Sequence, residues 1–263
     1  MEKMPEVPAD QSVVSLNEMI LSEFGIALQR ESHILDFGCG SGRHVYEYLD
    51  RGYLNVHGYD VRDYVNRRSP EDDARFRFDE KAEMSCIPYP DNFFDFIFST
   101  SVFEHVQQQD LAYREIHRVL KPGGTSVHNF PAKWRPIEPH IFVPFGGVFQ
   151  SHPYFRFWAA LGIRNGFQQD MTASEAARHN HRYAQTGLNY LSGAEIEHML
   201  TAIFGRVENA EPAFLKHSQG KSRHLYGLVS AVPVLGALFR SLHTRVIFVQ
   251  KAPAAARTAT PAT

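Results

Sequence analysis

Residues 35–43 read LDFGCGSGR, and this stretch decides how the surrounding chain folds. An apolar run carries an acid, Asp36, and then meets three glycines at every second position. Such a pattern predicts a buried strand that leads into a tight turn dependent on glycine. Residues 43–53 have the spacing of a helix, and residues 55–60, NVHGYD, read as a second strand. Strand, turn, helix and strand within about thirty residues predict a βαβ unit.

The same alternation continues on both sides of this unit. Residues 13–28 place apolar side chains at helical spacing, and residues 93–100, FFDFIFST, have the composition of a strand. A helix is predicted over residues 110–124, capped by Asp110 and ended by a Pro-Gly-Gly sequence, with a strand over residues 125–131. Strands that alternate with helices predict an α/β fold with a doubly wound, mostly parallel sheet.

Residues 131–187 interrupt the alternation, because they are rich in proline, histidine and aromatic residues and too long for a plain connection. The alternation returns where Ser192 and Glu195 fit a capping box. Two final strands are then predicted as a hairpin with an apolar helix between them. The predicted organisation is a covering helix, a ligand-binding core, an inserted lid or substrate subdomain, the remainder of the core and a disordered tail, over residues 1–30, 31–130, 131–187, 188–251 and 252–263.

The composition excludes several classes of protein. The chain has 263 residues and a formal net charge of −2, which does not favour a nucleic-acid partner. Two cysteines and a polar, acidic start predict a cytoplasmic protein without a signal peptide. The longest apolar stretch, residues 225–239, is too short for an integral membrane segment. It packs on the sheet or docks on a membrane surface or a partner, and the sequence leaves the oligomeric state open.

The charge beside the glycine turn indicates which ligand it binds. A dinucleotide site would have a third glycine where Arg43 stands, and Asp36 would repel a pyrophosphate. A cationic ligand is favoured instead. Asp60, at the end of the second strand, is placed to accept hydrogen bonds from both hydroxyls of a ribose. S-adenosylmethionine meets both demands, because it carries a sulfonium, an ammonium and an adenosine but no phosphate.

Four stretches, in order and spacing, resemble the successive motifs of class I S-adenosylmethionine-dependent methyltransferases. They are ILDFGCGSGR, VHGYD, IPYPDNFFDFIFSTSVFEHV and EIHRVLKPGG. The resemblance covers roughly residues 32–131, and the group it favours includes the ubiquinone and menaquinone biosynthesis methyltransferases. It implies a Rossmann-like, seven-stranded sheet with an antiparallel last strand. S-adenosylmethionine would be the methyl donor and S-adenosylhomocysteine the product.

The resemblance also implies which residues bind the cofactor. Asp36, the glycine turn, and Ser99 and Thr100 at the end of the fourth strand would hold the methionine moiety, and Cys39 would be a small residue without a chemical role. Asp60 would hold the ribose, and Val61, Glu83 and Met84 would surround the adenine. The predicted residues are Asp36, Gly38, Cys39, Gly40, Asp60, Val61, Glu83, Met84, Ser99 and Thr100.

Two histidines are the predicted catalytic residues. His105, in FEHV, follows the fourth strand near the expected methyl group, and His140 lies in the insert. Either is a candidate general base, and the alternative for His105 is a buried side chain that hydrogen-bonds a backbone carbonyl. His179 and His181 are predicted to lie in a solvated loop, so no metal site is expected there.

The predicted function is methyl transfer to a small-molecule acceptor, at oxygen. A sugar, a lipid-linked compound or a secondary metabolite would be the substrate, and a hydroxyl acceptor would need a base such as His105 or His140. The alternatives are a C- or N-methyltransferase of a small metabolite, or a protein that binds S-adenosylmethionine and serves as a regulator or scaffold without turnover.

Overall fold

A seven-stranded sheet organises the part of the chain that the structure describes. The structure is a computed structural model that describes residues 12–79, 86–219 and 221–254. The strands are β1 (His33–Phe37), β2 (Asn55–Asp60), β3 (Phe76–Phe78), β4 (Phe94–Thr100), β5 (Leu120–Pro131), β6 (Val207–Asn209) and β7 (Thr244–Gln250). Their order in the sheet is β3-β2-β1-β4-β5-β7-β6, and β7 runs antiparallel to both of its neighbours. The predicted doubly wound fold is confirmed, including the antiparallel last strand.

Helices cover both faces of the sheet. They are α1 (Val13–Glu23), α2 (Arg43–Asp50), α3 (Gln109–Val119), α4 (His152–Ala160), α5 (Ala173–Thr186), α6 (Gly193–Phe204), α7 (Glu211–His217), α8 (Tyr226–Ala231) and α9 (Pro233–Leu242). Helices α3 and α6 contribute to one hydrophobic cluster, and α1, α2 and α7 to another. Along β1, Leu35 and Phe37 enter the first cluster while Ile34 enters the second. This alternation buries both faces of the central strands, as a parallel sheet requires.

Two predicted boundaries around α3 were wrong. Helix α3 has Gln108 at its N-cap, so Asp110 lies in the first turn, where its charge favours the helix dipole. The helix ends at Val119 because Leu120 pairs with Phe94 in the sheet. The Pro-Gly-Gly sequence therefore lies within β5, next to a register shift between β4 and β5. Helix α1 is also shorter than predicted, since Gly25 adopts φ +74° directly after it.

The insert has a hydrophobic cluster of its own, formed where α4 packs against α5. Phe155 is fully buried there, whereas Phe142, Phe149 and Phe157 are exposed. The prediction of a solvated loop around His179 and His181 was wrong, because both residues lie within α5. Thr172 and Glu175 form a capping box that starts this helix. Residues two apart on a helix face different directions, so the two imidazoles do not converge.

The apolar stretch over residues 225–239 forms α8 and most of α9. Val229 and Phe239 pack with Leu215 of α7, while Val234 and Leu238 are exposed. Residues 225–239 are therefore only partly packed against the rest of the described protein. Among residues 12–79, 86–219 and 221–254, no helix combines the length and apolar character needed to cross a membrane. Of the predicted disordered tail, residues 255–263 lie outside the described residues.

One buried acid, Glu211 of α7, predicts how the free energy of unfolding depends on pH. Glu211 begins α7, is fully buried, and accepts one hydrogen bond from the Val246 N–H at 3.1 Å. Burial raises the pKa of Glu211 from 4.5 to about 7. Because the folded pKa exceeds the unfolded one, Glu211 stabilises the protein fully below the unfolded pKa and loses that contribution as pH rises through about 7.

Replacing Glu211 by glutamine removes this titration but keeps an acceptor for Val246. We expect Glu211→Gln to raise the free energy of unfolding at about pH 8.5 by about 1–3 kcal/mol, and to leave it nearly unchanged near pH 4.5. Urea unfolding at the two pH values measures the effect. Glu208→Gln, at a half-buried position on the edge strand β6 where Glu208 pairs with the exposed Arg206, is the control and should follow the wild type to within about 1 kcal/mol. A Glu211→Gln variant that is less stable at the higher pH would contradict the prediction.

Candidate active site

The glycine turn connects the carboxyl end of β1 to α2 and is hydrogen-bonded to the carboxyl end of β2. The backbone N–H groups of Gly38 and Cys39 both donate to the Tyr59 carbonyl, at 2.7 and 3.1 Å. Gly38 has φ +83°, and a Cβ there would lie 2.3 Å from the Cγ2 of Val102, so the turn packs directly on the segment after β4. Gly40 has φ +50°, yet a Cβ there would meet no described atom within 4 Å. The requirement for glycine at residue 40 is therefore conformational rather than a matter of protein packing.

Asp60 holds the far side of this turn. One carboxylate oxygen accepts the Gly40 N–H at 2.7 Å, and the other accepts the Val61 N–H at 2.7 Å. The side chain is buried, which raises its pKa although these hydrogen bonds act in the opposite direction. A carboxylate oxygen accepts two hydrogen bonds, so each retains capacity for a ligand hydroxyl. Sequence reasoning predicted the ribose role of Asp60 but not its fastening of the turn.

Asp36 lies on the central strand with only 1% of its surface exposed. Its Oδ2 atom has no hydrogen-bond partner among the described residues and lies 3.6 Å from the Nδ1 of His44. Burial lowers the pKa of His44, but the Asp36 carboxylate outweighs it and the pKa is raised overall. His44 was missed by the sequence reasoning, although its place in the first turn of α2 is a usable signal. The carboxylate thus offers a buried negative charge to a cationic ligand.

The other predicted cofactor residues have different surroundings. The Cys39 thiol is buried, and burial together with the Asp36 and Asp60 carboxylates raises its pKa far above the usual range, so it is unreactive. Ser99 is buried and its hydroxyl forms a 2.8 Å hydrogen bond with Nδ1 of His128. Thr100 ends β4 beside the turn. These assignments stay predictions, and Glu83 and Met84 lie outside the described residues.

A second group of polar side chains lies just beyond β4. Glu104 and His105 belong to a short 3-10 turn, Phe103–His105, while His140 comes from the insert. One ligating atom of each of these three side chains lies within 4.8 Å of those of the other two. The structure therefore brings together the two histidines that the sequence predicted as catalytic. Glu104 lies two residues after Val102, whose side chain packs on Gly38 of the glycine turn.

Glu138 orients His140 through a fully satisfied carboxylate. Its Oε1 accepts hydrogen bonds from Nδ1 of His140 at 2.6 Å and from the Tyr190 hydroxyl at 2.9 Å. Its Oε2 accepts the backbone N–H groups of His140 and Ile141, both at 2.7 Å. Burial acts to raise the pKa of Glu138, but these donors and His140 lower it overall, so it is a fixed anion. Sequence reasoning missed Glu138, whose signal was its place two residues before His140.

Glu104 has the opposite environment. It is 1% exposed, and within the described chain neither of its carboxylate oxygens has a hydrogen-bond partner. Burial raises its pKa to about 7. The Nδ1 of His105 donates to the Gly187 carbonyl at 2.7 Å, which leaves its Nε2 as the acceptor, 4.0 Å from Glu104. The backbone contact that was the alternative for His105 thus exists alongside a free Nε2 facing the cluster.

Comparison with known proteins finds a similarity over part of the chain. Residues 35–127 match the family model described as a methyltransferase domain. A sterol 24-C-methyltransferase from Schizosaccharomyces pombe is 29% identical over 106 residues, which is 38% of this chain and 28% of that protein. Phosphoethanolamine N-methyltransferase 2 from Caenorhabditis elegans is 27% identical over 113 residues, 41% of this chain and 25% of that protein. The chain thus matches less than a third of the length of these relatives.

Solved structures support the fold. The [4+2]-cyclase SpnF superposes with a TM-score of 0.51 at 17% identity, covering 95% of this chain and 85% of that one. A Haemonchus contortus phosphoethanolamine N-methyltransferase 2 gives 0.50 at 19% identity, covering 91% and 53%. The ubiquinone and menaquinone subgroup stays a prediction. Over residues 35–127 the chain is therefore similar to methyltransferase domains that use S-adenosylmethionine.

Proposed function

We propose that the chain transfers a methyl group from S-adenosylmethionine to a hydroxyl group of a small-molecule acceptor. The observation that carries this proposal is the Glu138–His140 pair. The free Nε2 of His140 lies in the cluster with Glu104 and His105, directly beyond the glycine turn. The acceptor enters at the carboxyl ends of the strands, where open α/β sheets bind their ligands. S-adenosylmethionine supplies an activated methyl group when bound, so the chain's own residues have to bind, align and remove a proton.

The residues around the turn suit the charges of this cofactor. Asp36 offers the methionine ammonium or sulfonium a buried carboxylate, one oxygen of which accepts no hydrogen bond from the described residues and lies 3.6 Å from His44. Asp60 keeps acceptor capacity on both oxygens for the ribose hydroxyls. The backbone at Gly40 lies open to a ligand because no described atom would contact its Cβ. Both acids lie at the ends of neighbouring parallel strands, which brings them to one edge of the sheet.

His140 is the proposed general base. Its Nδ1–H is held by Glu138, so its Nε2 carries the lone pair that accepts the hydroxyl proton as the methyl group is transferred. Glu138 then stabilises the imidazolium that forms, because four donors keep its carboxylate anionic. His105 shapes the site from the opposite side, since its ring lies 4.7 Å from the His140 ring at an interplanar angle of 79°.

Residues 131–187 act as the lid and substrate subdomain of this proposal. Two hydrogen bonds join the insert and the segment that follows it to the 3-10 turn at residues 103–105. Nδ1 of His105 donates to the Gly187 carbonyl, and the Asn189 N–H donates to the Glu104 carbonyl at 2.7 Å. These bonds place the hydrophobic cluster of the insert beside the proposed acceptor site.

The exposed free Cys86 supports a reducing, cytoplasmic setting.

The test combines cofactor binding with an acceptor panel. Calorimetry should detect one S-adenosylmethionine per chain, and alcohols, sugars, amines, thiols and alkenes, the last as carbon acceptors, are then assayed for release of S-adenosylhomocysteine. Turnover with hydroxyl acceptors supports the proposal. Turnover confined to amines or carbon acceptors would replace oxygen as the acceptor atom, as the acceptors in the names of the two relatives would suggest. Binding without turnover on any acceptor would favour a regulatory protein, and no binding would overturn the cofactor site itself.

A further inference from the structure

Three side chains that accept hydrogen bonds converge in the cluster beyond β4, and no donor of the described residues reaches the Glu104 oxygens or the Nε2 of His140. The Nδ1 atoms of His105 and His140 are both committed to oxygen acceptors, Gly187 and Glu138, so each ring presents Nε2 with its lone pair. The Nε2 of His140 is buried and, within the described residues, unpartnered. The Glu104 carboxylate is also buried, with neither oxygen bonded to a described residue. Such an arrangement leaves polar atoms unsatisfied at a cost of kilocalories each unless a cation or a proton lies among them.

The surroundings of the two imidazoles match those of metal-binding histidines. Histidine ligands almost always donate their second ring N–H to a carboxylate or a backbone carbonyl, which fixes the tautomer and the ring direction. Here Glu138 provides the carboxylate for His140 and Gly187 the carbonyl for His105. Glu138 is itself held by Tyr190 and two backbone N–H groups, so this outer layer is rigid. Two imidazoles and one carboxylate form a ligand set used by zinc enzymes.

We propose that Glu104, His105 and His140 bind one divalent transition-metal ion of the zinc type and leave its fourth position open. One ligating atom from each side chain lies within 4.8 Å of the other two, and ion binding would draw these atoms together by about 1 Å. The His105 side chain is 33% exposed, which gives the ion a path to the cluster. The carboxylate provides one negative charge toward the two positive charges of the ion.

The ion would change how the acceptor loses its proton, and this consequence alone rests on the proposed function. A hydroxyl oxygen in the open position would be acidified by the ion, and its proton would pass to solvent. In the metal-free protein His140 is the base described above, whereas in the metal-bound protein the two Nε2 lone pairs hold the ion and the ion itself acidifies the hydroxyl. Metal binding itself requires neither the cofactor nor an acceptor.

Zn²⁺ binding to the full chain tests the proposal. Competition with a chromophoric chelator in metal-free buffer measures affinity and stoichiometry, and Co²⁺ absorption reports the coordination number. We expect one Zn²⁺ per chain, an affinity at least about 100-fold weaker in Glu104→Gln, and one roughly 10- to 100-fold weaker in Glu138→Gln. Zn²⁺ should raise the melting temperature of the wild type and not that of Glu104→Gln. The double variant His179→Gln, His181→Gln is the control and should bind like the wild type.

The outcomes separate this site from adventitious binding. Glu104→Gln removes an unpartnered buried carboxylate, so the metal-free variant should melt no lower than the wild type. His105→Gln provides a second ligand variant at a partly exposed position. Equal Zn²⁺ affinity in the wild type and both ligand variants would overturn the proposal, as would binding that disappears in the control. These readings contain no methyl acceptor, so they stand whether or not methyl transfer is found.

Discussion

Replacing Asp60 by alanine should weaken S-adenosylmethionine binding by at least about 100-fold. The carboxylate lies at the end of β2 with acceptor capacity left on both oxygens, and two charge-assisted hydrogen bonds to a ribose contribute about 1.5–3 kcal/mol each. Calorimetry with S-adenosylhomocysteine, which is stable during the measurement, gives the dissociation constants. Asp63→Ala, three residues along the chain and exposed, is the matched control and should change the affinity less than threefold.

Because Asp60 also fastens Gly40, the ligand has to separate the two roles. A 2′,3′-dideoxy analogue of S-adenosylhomocysteine lacks both ribose hydroxyls. The wild type should bind it far more weakly than the parent compound, whereas Asp60→Ala should bind the two alike. A coupling energy near zero in this cycle would mean that Asp60 supports only the turn. Unchanged affinity in Asp60→Ala would remove the ribose site altogether.

The fold and the position of the two acids beside the glycine turn could be predicted because their signals are local. Asp36 lies one residue before the end of β1 and Asp60 ends β2, and parallel strands bring their carboxyl ends to one edge of the sheet. The capping box of Ser192 and Glu195 is confirmed for the same reason, since both residues act within one helical turn. Periodicity over a few residues fixes such features before tertiary contacts form.

The acceptor side could not be predicted in the same way. Glu104 and Glu138 are separated by β5 and part of the insert, and only the folded chain shows that one carboxylate is bonded by four donors and the other by none of the described residues. Tertiary packing also decided where α3 ends, because Leu120 gained a partner in Phe94. A run of histidines gave no indication that residues 178–182 lie in a capped helix.

In buffer kept free of divalent metal, replacing Glu138 by glutamine should lower turnover of a hydroxyl acceptor roughly 100- to 1,000-fold. Glutamine lacks the charge that stabilises protonated His140, and its amide cannot accept from all four donors of the carboxylate. We expect the loss in kcat and not in the affinity for the cofactor, because no described hydrogen bond joins Glu138 to the glycine turn. Binding of S-adenosylhomocysteine and the melting temperature are measured in parallel to show that the fold is kept. Glu197→Gln, exposed on α6, is the control and should retain wild-type turnover.

The acceptor's own acidity distinguishes a base from a merely structural residue. A thiol analogue of the acceptor with a pKa of about 8.5 is about half ionised without help at pH 8.5 and needs little from His140. Glu138→Gln should therefore slow transfer to the thiol less than about tenfold while it nearly abolishes transfer to the hydroxyl. Equal losses with both acceptors would indicate that Glu138 supports the shape of the site and not proton removal. Because Glu138 touches His140 and not the reacting atoms, it is a positioning residue, and only this difference between acceptors reveals what it positions.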